Sequence, residues 1–444
     1  YLPFHPMKGP MLTQTMQDII GHEPLHWRGD RLGIEEFNGA FTGLQGDDNN
    51  LTQTEMQQFE DFLATITFPP NPKRNFDNTL PSSMPLPGHF RTGRFGAAGT
   101  PLPNGNAVNG LSIYRSATRR LDGGAFACVT CHTLPTGMGT DMTRVGNTFV
   151  PIAVGPNGER HHGLVSVDGS TNAAIKVPQL RNIYKRTGFN TTQTVNRNGF
   201  GMLHDGSVDS IERFVAEPAF NVASDQEVAD LVAFMLAFSG SNLPAGSPTN
   251  VFEPPGPLSK DVPASVGQQI TVSANPPPAA TTTRINQMVA QANLNRVGLV
   301  VKGTLNGVQR GFVYEGGIFL SDRVGSTFTQ AQLMALAGPG SELTFTVVPF
   351  GTQVRIGIDR DRDGWLDRDE VDICTDPADP ASFPGGPGSA DFNADLALNP
   401  DDLADYIGGY FAVPPDPRCD FNADGGVDPD DLADYIGRFF DPCG

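Results

Sequence analysis

Apolar and polar residues alternate in different ways along the chain, and each pattern predicts its own element. Asp230-Leu-Val-Ala-Phe-Met-Leu-Ala-Phe238 is an apolar run that continues the mixed stretch Asp225–Asp230, which predicts one buried helix. Thr54–Leu63 predicts a second helix, and Thr281–Asn293 a third. Val297–Lys302, Arg310–Tyr314, Gly317–Leu320 and Leu343–Val348 alternate or run apolar between turn residues, which predicts the strands of a small β-rich domain. Pro244–Pro278 is dominated by Pro, Gly, Ser and Ala and reads as a linker. No run of about 18 apolar residues occurs, so no membrane span is expected.

The 444 residues suffice for two to four domains, and 51 Gly and 38 Pro predict many loops. Tyr1-Leu2-Pro3 has neither an initiator Met nor a signal-peptide pattern, so the start is expected to be processed or truncated. The net charge of −19 is uneven: residues 359–444 carry 22 acids and 5 bases, a net of −17. A near-neutral body with an acidic tail gives no electrostatic footprint for nucleic acid.

The densest chemistry is Cys128-Val129-Thr130-Cys131-His132. Two thiols and an imidazole at this spacing suit two thioether bonds to a haem c and an axial ligand to its iron. A zinc site would need a second Cys/His pair, which is missing, and a redox dithiol would need a βαβ setting. One covalent haem c is the favoured reading, with His132 as proximal ligand, and that chemistry places the protein outside the cytoplasm. Candidates for the sixth ligand are Met138, Met142, His161, His162, Met202, His204 and Met235. Met138 and Met142 are expected to lie too near the attachment site to reach the far face. His161 and His162 read as solvated loop residues, and Met235 reads as core packing. Met202, in the glycine-rich turn GFGMLHDGS, is favoured, with an open sixth position as the alternative.

Two stretches of the chain look alike. Lys8, Pro10, Leu12, Leu25, His26, Ile34, Glu35 and Phe37 align in order with Lys176, Pro178, Leu180, Leu203, His204, Ile211, Glu212 and Phe214. Each copy then leads into a predicted helix, at 54–63 and 225–234, so a duplication is expected. A haem motif of the first copy would fall upstream of Tyr1.

KVPQLRN followed by LHDGSVDSIERF resembles the signature of the di-haem cytochrome c peroxidases and MauG-like enzymes, over roughly residues 1–240. Asn109–Tyr114 resembles the short helix that precedes the attachment site in cytochromes c. The resemblance implies two cytochrome c-like domains with electrons passing between two haems; CVTCH matches the second, electron-transferring one. It also implies Arg181 near a haem propionate and His204 near the haem edge. Two departures stand out: about a dozen extra residues around 187–199, and no Met near Pro218-Ala219. Peroxidase activity is implied only with a first haem supplied by an upstream segment. FHPMKGPMLTQT and PLHWRGDR resemble longer secreted proteins in which a β-propeller and a first CxxCH come earlier.

In the tail, DRDRDGWLDRDE fits an EF-hand calcium loop at all twelve positions. Asp359, Asp361, Asp363 and Asp367 would offer oxygens, Trp365 its carbonyl and Glu370 two oxygens, with Gly364 at the sharp turn. Two further loops follow, 29 residues apart. Asp391, Asn393, Asp395, Ala397 (carbonyl), Asn399 and Asp402 form one; Asp420, Asn422, Asp424, Gly426 (carbonyl), Asp428 and Asp431 form the other. Each leads straight into one helix, and the pair resembles a dockerin module, which implies up to three Ca²⁺ in all and a protein partner for the tail. Cys419 and Cys443 bracket the last repeat and are expected to pair, leaving Cys374 over.

The expected fold class is therefore multidomain: mainly α cytochrome c-like haem domains, a small β-rich domain, and an α calcium-loop and dockerin-like tail. The expected divisions are a partial first half at 1–95, a haem domain at 96–243, a linker at 244–280, a β-rich domain at 281–358, a calcium loop at 359–389 and tandem repeats at 390–444. Two functions follow. One is an exported, periplasmic or extracellular bacterial c-type cytochrome that exchanges electrons with a redox partner or another haem domain. The other is a surface or assembly protein in which the tail does the work and the haem is structural.

Overall fold

The computed structural model describes residues 11–165, 174–188 and 201–443. Lys8 and Pro10 of the repeat and nearly all of the 187–199 insertion lie outside the described residues. The chain divides into two units, Tyr1–Ala264 and Ser265–Gly444.

The first unit has short helices joined by long, hydrogen-bonded loops. In order they are α1 (Gly39–Gly43), α2 (Gln53–Ala64), α3 (Ala107–Tyr114), α4 (Cys128–Cys131), α5 (Ile211–Val215) and α6 (Asp225–Leu236). Two small antiparallel ribbons accompany them: β1 (Met142–Val145) with β2 (Thr148–Pro151), and β3 (Leu164–Val165) with β4 (Ile175–Lys176). The core is centred on α6, whose residues Val228–Leu236 are all buried. Ser224 accepts from the Glu227 amide to start the helix. At its other end Arg74 donates to the carbonyls of Ala237 (2.5 Å) and Ser239 (2.8 Å), and Asn71 donates to Leu236 and Phe238. These side chains satisfy carbonyls that no next turn can reach.

Glycine decides how closely α3 meets α6. A Cβ on Gly105, just before α3, would sit 2.2 Å from the Ala229 carbonyl oxygen, and one on Gly110 2.1 Å from that of Asp230. The buried Asp230 carboxylate in turn accepts from the Asn106 amide (2.8 Å), and Asn106 caps α3 through the Val108 and Asn109 amides.

The repeat is present in the backbone, with a one-residue correction to the alignment. Leu25 bridges Arg31, and Met202 bridges Val208, each through an N–H···O of 2.6 Å. The left-handed residues that close these turns are His26 and Leu203, followed by Gly29 and Gly206. Eight residues after each comes a helix start, at Ile34 and at Ile211. The turn geometry therefore matches His26 to Leu203 and Trp27 to His204, not His26 to His204. The copies also interlock: Leu12 donates to the His204 carbonyl and Lys176 to that of Trp27, both at 2.8 Å.

Residues 244–264, expected as linker, are tied down instead. Thr130 donates to the Phe252 carbonyl (2.8 Å), Thr140 to that of Pro255 (2.6 Å), and Glu253 pairs with Arg115 (2.5 Å). The reason is local: side chains on and after α4 supply donors to carbonyls of this stretch, which has no helix or sheet ladder of its own to satisfy them.

The second unit holds an antiparallel sheet, order β5-β10-β6-β7-β8-β9. Its strands are β5 (Gln269–Val272), β6 (Val297–Leu305), β7 (Val308–Glu315), β8 (Ile318–Ser321), β9 (Thr327–Phe328) and β10 (Leu343–Pro349). β5 comes from the end of the expected linker and forms one edge. Asn306-Gly307 and Gly316-Gly317, all at positive φ, make the two-residue hairpins on either side of β7. Helices α7 (Ala279–Asn293), α8 (Gln330–Leu336), α9 (Gln353–Gly357), α10 (Asp367–Asp372), α11 (Pro400–Tyr410) and α12 (Pro429–Phe440) complete the unit. Val300, Val313 and Val348 on one sheet face pack with Ile358, Ile356 and Leu366, so the loop at 359–370 shares the sheet's core and is not an appended module.

The tail has its own core around Phe392, Tyr406, Cys419 and Tyr435. Tyr406 and Tyr435 stack at 3.7 Å with ring planes 2° apart. Tyr406 donates to the Cys419 carbonyl (3.0 Å) and Tyr435 to that of Ala390 (3.1 Å). Each tyrosine thus anchors the residue that opens the other repeat's loop. Cys419 is buried in this role, and the disulfide joins Cys374 to Cys443, correcting the expected Cys419–Cys443 pair. The end of α12 brings Cys443 back to the end of α10, where Arg438 also donates to the Cys374 carbonyl (3.2 Å).

Candidate functional site

α4 is a single turn that places Cys128, Cys131 and His132 on the wall of one cavity of about 360 Å³. The His132 amide closes the turn on the Cys128 carbonyl (2.9 Å), and Tyr114, fully buried, donates its hydroxyl to the His132 carbonyl. The orientation of the His132 ring is fixed by Nδ1, which lies 2.8 Å from the Gly137 carbonyl oxygen and 3.1 Å from that of Pro178. Both partners are acceptors, so Nδ1 carries the proton and Nε2 keeps a free lone pair. This is how a ligating imidazole is held when its other nitrogen is used as an anchor.

The two thiols are free. Burial pushes Cys128 up to about 12 and raises Cys131 as well, with Asp122 adding to both. A redox-active CxxC needs the opposite shift, toward a thiolate. Nor do Cys128, Cys131 and His132 bring donor atoms within 4.8 Å of one another as a set, which a zinc centre would need. The surrounding wall is largely apolar, with Leu121, Val177, Leu180, Ile211, Phe214 and Leu231. Two neutral thiols, an imidazole with its Nε2 free and an apolar cavity fit a haem c.

Of the sixth-ligand candidates, Met138, Met202 and Met235 line this cavity; Met142, His161, His162 and His204 do not. Met138 belongs to the turn that holds His132, through its bridge to Thr133, and is therefore on the His132 side. Met235 is buried on α6. Met202 stands on the bridged turn closed by Leu203 and is 7 % exposed. His162 corrects the solvated reading: it is buried, with Nε2 3.3 Å from Nδ1 of His22. His204 lies beside Trp27, ring centroids 6.3 Å apart, and Trp27 itself lines the cavity. Arg181 lines the cavity, is ion-paired with the buried Asp18, donates to Ser259 (2.9 Å) and covers the Phe68 ring. The sequence reading missed Asp18, His22 and Glu23; the only local signal was the four-residue spacing of Asp18 and His22, whose Oδ2 and Nε2 lie 3.3 Å apart.

Carboxylates converge at two places among the described residues: Asp359, Asp361 and Asp363, and Asp391, Asp395 and Asp402. In the first loop Glu370 is wholly buried, and neither of its carboxylate oxygens has a hydrogen-bond partner. One oxygen each of Asp361 and Asp363 is also buried and unpartnered. Burial and the four surrounding aspartates push Glu370 up to about 8. A divalent cation would relieve that crowding and occupy the orphaned oxygens. Asp367 accepts from the Arg360 amide (2.8 Å) and faces Lys302 and Arg360. Trp365 donates its amide to Asp363 (2.8 Å). The second loop pins Asp391 and Asp402 by backbone amides of Asp395, Leu396 and Asn399. Asp420 and Asp431 of the third loop make the equivalent amide contacts, to Asp424, Gly425, Asn422 and Asp428, without a three-carboxylate convergence.

The chain matches no family model, no curated protein and no solved structure. Among the described residues no helix is long and apolar enough to cross a membrane.

Proposed function

We propose that the chain is a c-type cytochrome of the periplasm or cell exterior, carrying one haem c and binding up to three Ca²⁺ in its tail. The observation that carries the reading is His132: its Nδ1 is spent on two carbonyls and its Nε2 is left free, on the same cavity wall as two unpaired thiols. Cys128 and Cys131 would hold the porphyrin through thioethers, His132 would ligate the iron, and Met202 would be the favoured further ligand. The bound group supplies a one-electron Fe(III)/Fe(II) couple. The chain's own residues keep water from it with an apolar wall and set charge near it through Arg181 and Lys176, both buried and cavity-lining. The resemblance to di-haem peroxidases agrees, as does the Cys374–Cys443 disulfide, which suits an oxidising compartment. The dockerin-like pair of loops and helices would order on calcium and offer a surface to a partner protein.

The decisive experiment is intact mass and a haem stain on denatured protein made with a c-type maturation system. A gain of one haem that is lost in the Cys128→Ala/Cys131→Ala double variant supports the proposal. Colourless protein of amino-acid mass alone overturns it, leaving calcium-dependent assembly as the surviving function.

A further inference from the structure

On the cavity wall and just behind it lies a set of ionisable side chains that electron transfer alone does not use. Asp18, His22, Lys176 and Arg181 line the cavity, each at most 6 % exposed. Glu23 (2 % exposed) and His162 (4 %) sit one layer further back. The groups are linked: His162 to His22 at 3.3 Å, His22 to Asp18 at 3.3 Å, Asp18 to Arg181, and the Lys176 ammonium to the His22 carbonyl. One Glu23 carboxylate oxygen accepts from the Gly21 amide (3.3 Å); the other is buried with no hydrogen-bond partner among the described residues.

The members differ in what they can do. Burial works against ionising Asp18, but His22 and Arg181 outweigh it and hold the carboxyl below its usual range. Burial lowers His22 against the pull of Asp18, and it pulls His162 down to about 2. Burial also pushes Glu23 up to about 7, opposed by its own amide, that of Gly21 and by Lys176 of β4, and reinforced by Glu60 of α2. His161 bridges the Glu23 backbone, and Nδ1 of His162 lies 3.3 Å from the Glu23 carbonyl oxygen. Burial also pulls Lys176 down to about 8, so Glu23 and Lys176 are the two groups of the set that change charge near neutral pH, and Glu23 is the one with a buried, unpartnered oxygen.

Resting on the haem c reading, we propose that Glu23 is a proton-binding site linked to electron entry. When a reduced partner protein delivers one electron to the group held in the cavity, the Glu23 carboxylate takes up one proton from solvent, and it releases that proton when the electron leaves. Charge is conserved in each direction: one electron and one proton in, one of each out. The physical cause is the negative charge added beside a wall that excludes water, which makes an ionised carboxylate behind that wall less favourable.

The test is spectroelectrochemistry of the intact haem-bearing protein between pH 5.5 and 8.5. The expected result is a midpoint potential that falls as pH rises, most steeply near neutrality. Its slope should not exceed about 59 mV per tenfold change in proton activity, the limit for one proton per electron. Glu23→Gln should lose that slope and Glu23→Asp should keep it. Redox infrared difference spectra give a second readout in the unmodified protein: a protonated-carboxyl band should rise on reduction and vanish on reoxidation. A slope unchanged in Glu23→Gln, or no carboxyl band in the unmodified protein, overturns the proposal and leaves the haem reading standing. Protein without covalent haem has no such potential to measure and overturns the haem reading instead.

Discussion

Gly110 shows how much one hydrogen atom decides. Its missing side chain lets the α3 backbone lie against the Asp230 carbonyl, where a Cβ would stand 2.1 Å away, and backbone cannot yield as a flexible side chain can. Gly110→Ala should therefore destabilise the first unit by about 1–3 kcal/mol, the usual range for overpacking, read as a lower urea midpoint. Glu23 gives a prediction with a sign. Its pKa is raised in the folded protein, to about 7 from 4.5. The stability this lends is fully present below pH 4.5 and is lost as pH rises through about 7. Glu23→Gln should gain on the wild type by roughly 1–3 kcal/mol between pH 5 and 8 in urea unfolding. At this scale the grouping of Cys128, Cys131 and His132 on one cavity wall was legible because they lie within five consecutive residues, a single turn. The burial of His162 was not, because its partner His22 is 140 residues away.

Among the elements, the three calcium-type loops share a backbone signature. The fourth residues, Arg362, Ala394 and Ala423, are left-handed, and so are the sixth, Gly364, Leu396 and Gly425. Leu396 is the exception in side chain: at φ 66° it holds a conformation that glycine adopts freely. Leu396→Gly should relieve strain of order 1 kcal/mol and tighten calcium binding several-fold, measured by isothermal titration. The paired tyrosines make a second test. Tyr435→Phe leaves the Ala390 carbonyl without its donor and should cost about 1 kcal/mol in tail stability, seen as faster hydrogen exchange around 390. Strands β6, β7, β8 and β10 were readable from alternation. The pairing of β5 with β10 was hidden, since an edge strand of four residues in a Pro- and Gly-rich stretch carries no pattern of its own.

Over the whole molecule the uneven charge becomes decisive. A net of −17 over residues 359–444 is held together by three acidic loops and one disulfide. Removing calcium with a chelator should raise hydrogen exchange across 359–443 at low salt. About 0.1 M salt should partly restore protection, because the Debye length then shrinks to about 10 Å. Since Ile358 and Leu366 share a core with Val300, Val313 and Val348, the loosening should spread into β6 and β7. Exchange confined to 390–443 would contradict that coupling.

The sequence by itself determined every chemistry that depends on neighbours along the chain. Thiols and imidazole in one turn, carboxylates at alternate loop positions and the order of the repeated elements all follow from spacing. Only the tertiary structure decided what depends on distance in space. It chose Cys374 over Cys419 for the disulfide, placed Trp27 beside His204, and buried Asp18 and His22 on the cavity wall with Glu23 behind them. The reason is physical: covalent and local hydrogen-bonding geometry is set within a few residues, whereas burial and charge pairing are set by which distant segments pack together.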